Sequence, residues 1–133
     1  MIPSPAQEAS TDQDPLTRGI IGAAIEVHKH LGPGLLESAY EACMAIELGL
    51  RSLAFSRQVE VPIRYKSSSV PGAYRIDFLV EDSIVVELKA IEKFAPIHEA
   101  QLLTYLRLTG KRTGLLINFN APYLRDGIMR RVL

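Results

Sequence analysis

Glu87 and Lys89 lie two residues apart at the end of the apolar run Ile84 to Leu88. On a strand, residues at that spacing project from one face, while Val86 and Leu88 project from the other. Asp77 joins the pair if Glu81, Asp82 and Ser83 form a three-residue hairpin loop. Val80 then faces Ile84 and Asp77 faces Glu87, with Cβ atoms about 5 Å apart. Two carboxylates so placed repel each other unless a cation sits between them or one stays protonated. A hard divalent ion, Mg²⁺ or Mn²⁺, present as one or two ions, meets that need: it binds through one or two carboxylates and keeps waters that can be activated. Lys89 would then stand beside an attacked phosphate, stabilising charge in the transition state or orienting the attacking water. The plainer reading is that Glu87 and Lys89 are solvent-end charges of a strand and that Asp77 is unrelated to them.

The elements that must position these residues follow from periodicity. Asp14 followed by Pro15 signals a helix start, and Ile20, Ile21, Ala24, Ile25 and Leu31 recur at helical spacing to about His30. Leu31-Gly32-Pro33-Gly34 breaks that helix. A second one runs from Leu35 to about Ser52, with Leu36, Tyr40, Cys43 and Leu48 available for packing. Gly32 and Gly34 read as turn residues with unusual backbone angles. They do not form a phosphate-cradling loop, since no strand precedes them and no Lys-Ser/Thr follows. From Gln58 to Lys66 the pattern alternates, with Val59, Val61, Ile63 and Tyr65 on one side and Gln58, Glu60, Arg64 and Lys66 on the other. Pro62 marks this strand as an edge or a bulge. Ser67 to Gly72 reads as a polar turn, Tyr74 to Val80 and Ile84 to Leu88 as strands, Ile97 to Thr109 as a helix ended by Gly110, and Thr113 to Phe119 as a strand. A short closing element of undetermined type follows. The order is α-α-β-β-β-α-β, an α/β domain spanning residues 14–133, behind a flexible tail over residues 1–13.

Composition narrows the function classes. A chain of 133 residues holds one core, because domains commonly run about 100 to 150 residues. With 47% apolar and 23% charged residues it is an ordinary globular composition. No segment approaches the roughly 18 apolar residues needed to span a bilayer, and no signal-peptide pattern opens the sequence. The expectation is a cytoplasmic protein without a membrane partner. Cys43 is the only cysteine, which rules out an internal disulfide or a thiolate metal cluster within one chain and leaves a buried small hydrophobe. A formal net charge of zero argues against duplex binding by unspecific phosphate attraction alone. The charge is uneven, however. Three acids and no base precede Pro15, and from Arg107 onward Lys111, Arg112, Arg125, Arg130 and Arg131 add to it against Asp126 alone. That run is either a phosphate-facing patch or a solvated surface.

Gly34-Leu35-Leu36-Glu37-Ser38-Ala39-Tyr40 matches the signature that names the GxxExxY protein family, a branch of the PD-(D/E)XK nuclease-like superfamily. The segments IIGAAIEVHKHLGPG (20–34), YRIDFLVEDSIVVELK (74–89), HEAQLLTY (98–105) and GLLINF (114–119) resemble that family's segments in its order. The resemblance implies a restriction-endonuclease-like core, a small mixed central sheet flanked by helices. It also implies a metal-dependent nuclease acting on nucleic acid, DNA or RNA. Asp77, Glu87 and Glu37 would be the metal-holding carboxylates, and Lys89, Glu37 and Gln101 the catalytic set, with Gln101 positioning substrate or water. Ile76 stands where the superfamily often has proline. The role of Glu37 rests on the resemblance alone, since a helix charge with Glu41 one turn later is an ordinary pattern.

Tyr40 reads as a half-buried packing residue. His28 and His30 point to different sides of their helix and cannot chelate one ion together; Glu26 and His30 share a face as a surface contact. His98 starts the helix that carries Gln101 and borders the site in sequence. The alternative to an enzyme is a non-catalytic binding or regulatory module that keeps the fold and acts through a protein partner, because fold does not prove activity. A chain this small offers little surface for a duplex, whose specific readers bury about 1,000 Å² or more of protein. A homodimer or a partner protein would supply the rest.

Overall fold

The computed structural model describes residues 14–133, so the flexible tail expected over residues 1–13 lies outside the described residues. Helix α1 spans Pro15–Leu31. Asp14 caps it, accepting from the Leu16 amide at 3.1 Å, a donor that the first helical turn leaves unpaired, and from the Thr17 hydroxyl at 2.6 Å. Gly32 and Gly34 take positive φ of 69° and 100°, as the turn reading requires. Helix α2, Glu37–Leu50, begins two residues later than periodicity indicates. Leu36 is its extended cap residue and is 77% exposed, so it does not pack as expected; Met44 joins Tyr40 and Leu48 on the buried stripe instead. Cys43 is half-buried at the edge of that stripe, short of the full burial expected.

The remaining elements are β1 (Phe55–Tyr65), β2 (Ser68–Val80), β3 (Ile84–Lys89), α3 (Pro96–Thr109), β4 (Thr113–Asn118), a short 3₁₀ turn (Leu124–Gly127) and β5 (Ile128–Val132). The strands form one sheet in the order β1-β2-β3-β4-β5. Only β3 and β4 pair in parallel, and α3 supplies the long crossover that a parallel pair needs. The architecture is α/β with a mixed sheet, as the element order anticipated. The closing element is an edge strand on β4.

Two strand starts also differ: β1 begins at Phe55, three residues before Gln58, and β2 begins well before Tyr74. Ser67 to Gly72 is not a turn: β2 already starts at Ser68, and Tyr65, Arg64 and Ile63 pair with Ser68, Ser69 and Val70. Both faces of this distal ribbon are exposed, so the apolar alternation that betrays a half-buried strand is not needed there. Pro62 lies at a register irregularity, as expected of a proline in an edge strand. Val61 pairs with Tyr74 but Ile63 with Val70, and Gly72 takes φ 70° in the longer stretch opposite.

The sheet packs on both sides. On one face Phe78, Val80, Ile84, Val86 and Leu88 meet α1 and α2 through Ile20, Ala24, Tyr40 and Met44. On the other, Val61, Ile76, Val85 and Leu116 meet Leu102, Tyr105 and Leu106 of α3. Residues two apart on a regular strand share a face, yet Ile76 packs toward α3 and Phe78 toward α1 and α2. The β2 strand therefore changes faces at Asp77. Among the described residues no helix is long and apolar enough to cross a membrane.

Candidate metal-dependent active site

The ladder between β2 and β3 runs Val80 to Ile84, Leu79 to Val85 and Phe78 to Val86. The hairpin is thus the three-residue one, and its register brings Asp77 beside Glu87. At that row the backbone ladder gives way to side chains. The Asp77 amide donates to Glu87 Oε2 at 2.7 Å, and the Leu88 amide donates to Asp77 Oδ2 at 2.8 Å. Each carboxylate thereby fixes itself on the other's strand.

Glu87 is 95% buried, its residue being 5% exposed. Burial, with the Asp77 charge adding, pushes its carboxyl up to about 8, while Lys89 and the Asp77 amide oppose the rise. Burial also raises Asp77, with Glu41 adding and the bonds from Leu88 and Gln58 opposing. Both shifts have the sign of two acids held together out of water. Glu37 opens α2 on the solvent side. Partial desolvation raises its carboxyl, Lys89 lowers it, and Asp77 and Glu41 raise it further, so the three predicted acids and Lys89 share one electrostatic neighbourhood. Lys89 is half-buried and forms no direct salt bridge among the described residues, while its charge lowers Glu37, Asp77 and Glu87 alike.

Gln101 lies half-buried on α3, and no hydrogen bond ties it to the pair. Tyr105, one turn further, is the α3 residue that senses the acids: burial, then Glu87 and Asp77, push its phenol up to about 12. His98 turns inward to its own helix start, where Nδ1 accepts from the Ala95 amide at 2.8 Å; this is a capping role. His30 meets Glu26 at 2.9 Å as a surface contact, and His28 Nε2 donates to the Ala121 carbonyl at 2.8 Å. The basic residues from Arg107 onward do not form one free patch. Lys111 pairs with Asp82, Arg130 with Asp14 and Arg131 with Glu99. A depression of about 340 Å³ beside the β2–β3 turn is lined by Ala54, Phe55, Ser56, Leu79, Glu81 and Asp82, and none of the predicted acids faces it.

Two residues beyond those expected enter the site. Glu41, one turn after Glu37 on α2, is gripped by Arg57 at 3.1 Å and by the Gln58 amide at 3.0 Å, and Gln58 also donates to Asp77 Oδ1 at 3.2 Å. Gln58 adopts φ 51° in the middle of β1, a conformation that costs a non-glycine residue roughly 1–3 kcal/mol and clusters at functional sites. Strand periodicity contains no signal for it.

Tyr40 is fully buried, beyond the half-burial expected. Its ring stacks on Phe119 at 4.7 Å. Its hydroxyl donates to the Gly32 carbonyl at 2.6 Å and accepts from the Leu35 amide at 3.1 Å, so it latches the glycine turn that delivers Glu37. Tyr40→Phe is expected to lower stability by about 1–2 kcal/mol, because two backbone groups lose their partner; urea unfolding measures this.

Among the described residues no group of three or more His, Cys, Asp or Glu side chains stands in a metal-holding arrangement. The donor chemistry of the pair nevertheless fits a hard cation. Among the described residues Glu87 Oε1 accepts no hydrogen bond and Asp77 Oδ1 meets only a neutral amide, and a positive charge beside the two would favour the ionised forms that burial, and for Glu87 the Asp77 charge, disfavours. Comparison with curated proteins and with solved structures finds no match. The family model of the PD-(D/E)XK nuclease superfamily matches residues 14–132, nearly the whole described chain. The chain belongs to the PD-(D/E)XK nuclease superfamily.

Proposed function

We propose that the protein is a metal-dependent nuclease, hydrolysing phosphodiester bonds of nucleic acid with Asp77, Glu87 and Glu37 as the acidic set and Lys89 as the cationic one. The observation that carries this reading is the Asp77–Glu87 row, where a half-buried and a buried carboxylate replace the backbone ladder and bond each other's strands. Stability alone does not favour it, since the row either sets two like charges opposite each other, which weakens a sheet, or keeps the buried Glu87 carboxyl protonated at neutral pH.

Asp77 and Glu87 would hold Mg²⁺ or Mn²⁺, with Glu37 the third acid. A bound divalent ion supplies Lewis acidity toward a phosphoryl oxygen and a more acidic water. The protein's own part is positional. The hydrogen bonds from Leu88 and Asp77 fix one oxygen of each carboxylate, and Gln58 steadies the second oxygen of Asp77, so the two acids would be held in place for a cation. Lys89, two residues from Glu87 on the same face, places its ammonium against the charge that grows on the phosphate in the transition state. Gln101 is assigned to positioning substrate or water.

Incubating the chain with single-stranded, duplex and branched DNA and RNA tests the reading. Cleavage is expected with Mg²⁺ or Mn²⁺ and is expected to vanish with a chelator. No cleavage of any substrate with either ion would leave a binding module acting through a protein partner.

A further inference from the structure

We infer that Gln58 is a positioning residue of this site, the latch that orients Asp77 and ties the helix bearing Glu37 over it. Its bearing on cleavage rests on the function proposed above, but its geometry does not.

Three observations converge on it. The first is register: Arg57 pairs with Phe78 and Val59 with Ile76, so Gln58 stands opposite Asp77 in the same row that continues to Glu87. The second is backbone conformation. Successive side chains on a regular strand point to opposite faces, yet Arg57 and Gln58 both reach the Glu41 carboxylate. The left-handed φ of 51° at Gln58 accounts for this. It is also the point at which β1 changes sides, since Phe55 packs with α1 and α2 while Val59 and Val61 pack with α3. On the paired strand the same change falls at Asp77, so the ribbon turns over at the Gln58–Asp77 row. The third is hydrogen bonding. One amide nitrogen donates to both oxygens of Glu41, at 3.0 and 3.1 Å, and to Asp77 Oδ1 at 3.2 Å. Only the nitrogen end of the amide can meet three carboxylate oxygens, which fixes its orientation. Asp77 Oδ2 is already taken by the Leu88 amide, so Gln58 governs the remaining oxygen.

A residue that served the strand alone would not occupy an unfavourable φ, and glycine would do better there. Gln58→Gly therefore separates the two roles: it relieves the backbone and removes the amide. In the metal-free chain, hydrogen exchange followed by NMR is expected to show the Leu88 amide exchanging at least about tenfold faster in Gln58→Gly. Val85 and Val86, in the paired part of β3, should be unchanged and the melting temperature no lower. Gln58→Glu, which sets a third carboxylate against Glu41 and Asp77, should expose Leu88 as well. Titration of both variants with Mn²⁺ should give affinities about 10- to 100-fold below that of the unsubstituted chain. Leu88 exchange within about twofold of the unsubstituted chain in Gln58→Gly would overturn the inference. If the unsubstituted chain takes up no Mn²⁺ while Leu88 protection still depends on Gln58, the positioning role stands and the cation-dependent reading fails.

Discussion

Asp77→Asn should abolish metal-dependent cleavage, with a fall in single-turnover rate on the order of 10³-fold or more, while leaving the protein folded. The substitution keeps an oxygen that can accept from the Leu88 amide and removes the charge that repels Glu87. A loss of activity with it cannot be ascribed to an unpaired buried amide, which Asp77→Ala would create at a cost of about 1–3 kcal/mol. Its melting temperature in the absence of metal should equal or exceed that of the unsubstituted chain. Lys89→Ala should separate binding from chemistry. The acids that hold the cation are intact, so Mn²⁺ affinity should not fall, whereas the rate should drop about 10²- to 10³-fold with little change in KM, the pattern of an interaction made in the transition state. A Lys89→Ala variant with undiminished turnover would remove that residue from the mechanism.

The metal-free protein should lose stability as pH rises from about 4.5 to 8. Burial and the Asp77 charge raise Glu87 from 4.5 to about 8 in the fold, and Asp77 and Glu37 shift in the same direction. Between the unfolded and folded values the native state holds more protons than the unfolded one, so unfolding free energy falls with pH. The stabilising contribution of protonated Glu87 is fully present below 4.5 and gone above about 8. The loss should be on the order of a few kcal/mol, or roughly 5–10 °C in melting temperature, measurable by thermal unfolding in chelator across that range. Glu87→Gln should flatten the profile, and saturating Mn²⁺ should restore stability at high pH through its binding to the native state. A melting temperature that rises steadily from pH 5 to 8 in both proteins would show that the pair is not held protonated.

The framework was legible because it is written in local chemistry. Asp14-Pro15 starts a helix, Gly110 with φ 74° ends one, and the three-residue loop after Val80 sets the register that meets Asp77 with Glu87. Those signals depend on neighbours in sequence. The start of β2 was not legible, since Ser68 to Val70 sit on a ribbon exposed on both faces and bury nothing that would impose alternation. Gln58 and Glu41 were missed for a different reason. Alternation assigns Gln58 to the solvent side with Glu60 and Arg64, and only a left-handed φ with no sequence signature turns it onto Glu41 and Asp77. Tyr40 is intermediate. Its aromatic body announced packing, but the two hydrogen bonds that fix the turn before Glu37 depend on where the chain returns in space.

The central claim is that Asp77 and Glu87 hold a catalytic divalent ion, and calorimetric titration with Mn²⁺ and Mg²⁺, with the unsubstituted chain beside Asp77→Asn, tests it most directly. Saturable binding by the first and at least about tenfold weaker binding by the second are predicted. No binding at millimolar ion by the unsubstituted chain, with nucleic acid present, or equal binding by both proteins, would contradict the claim.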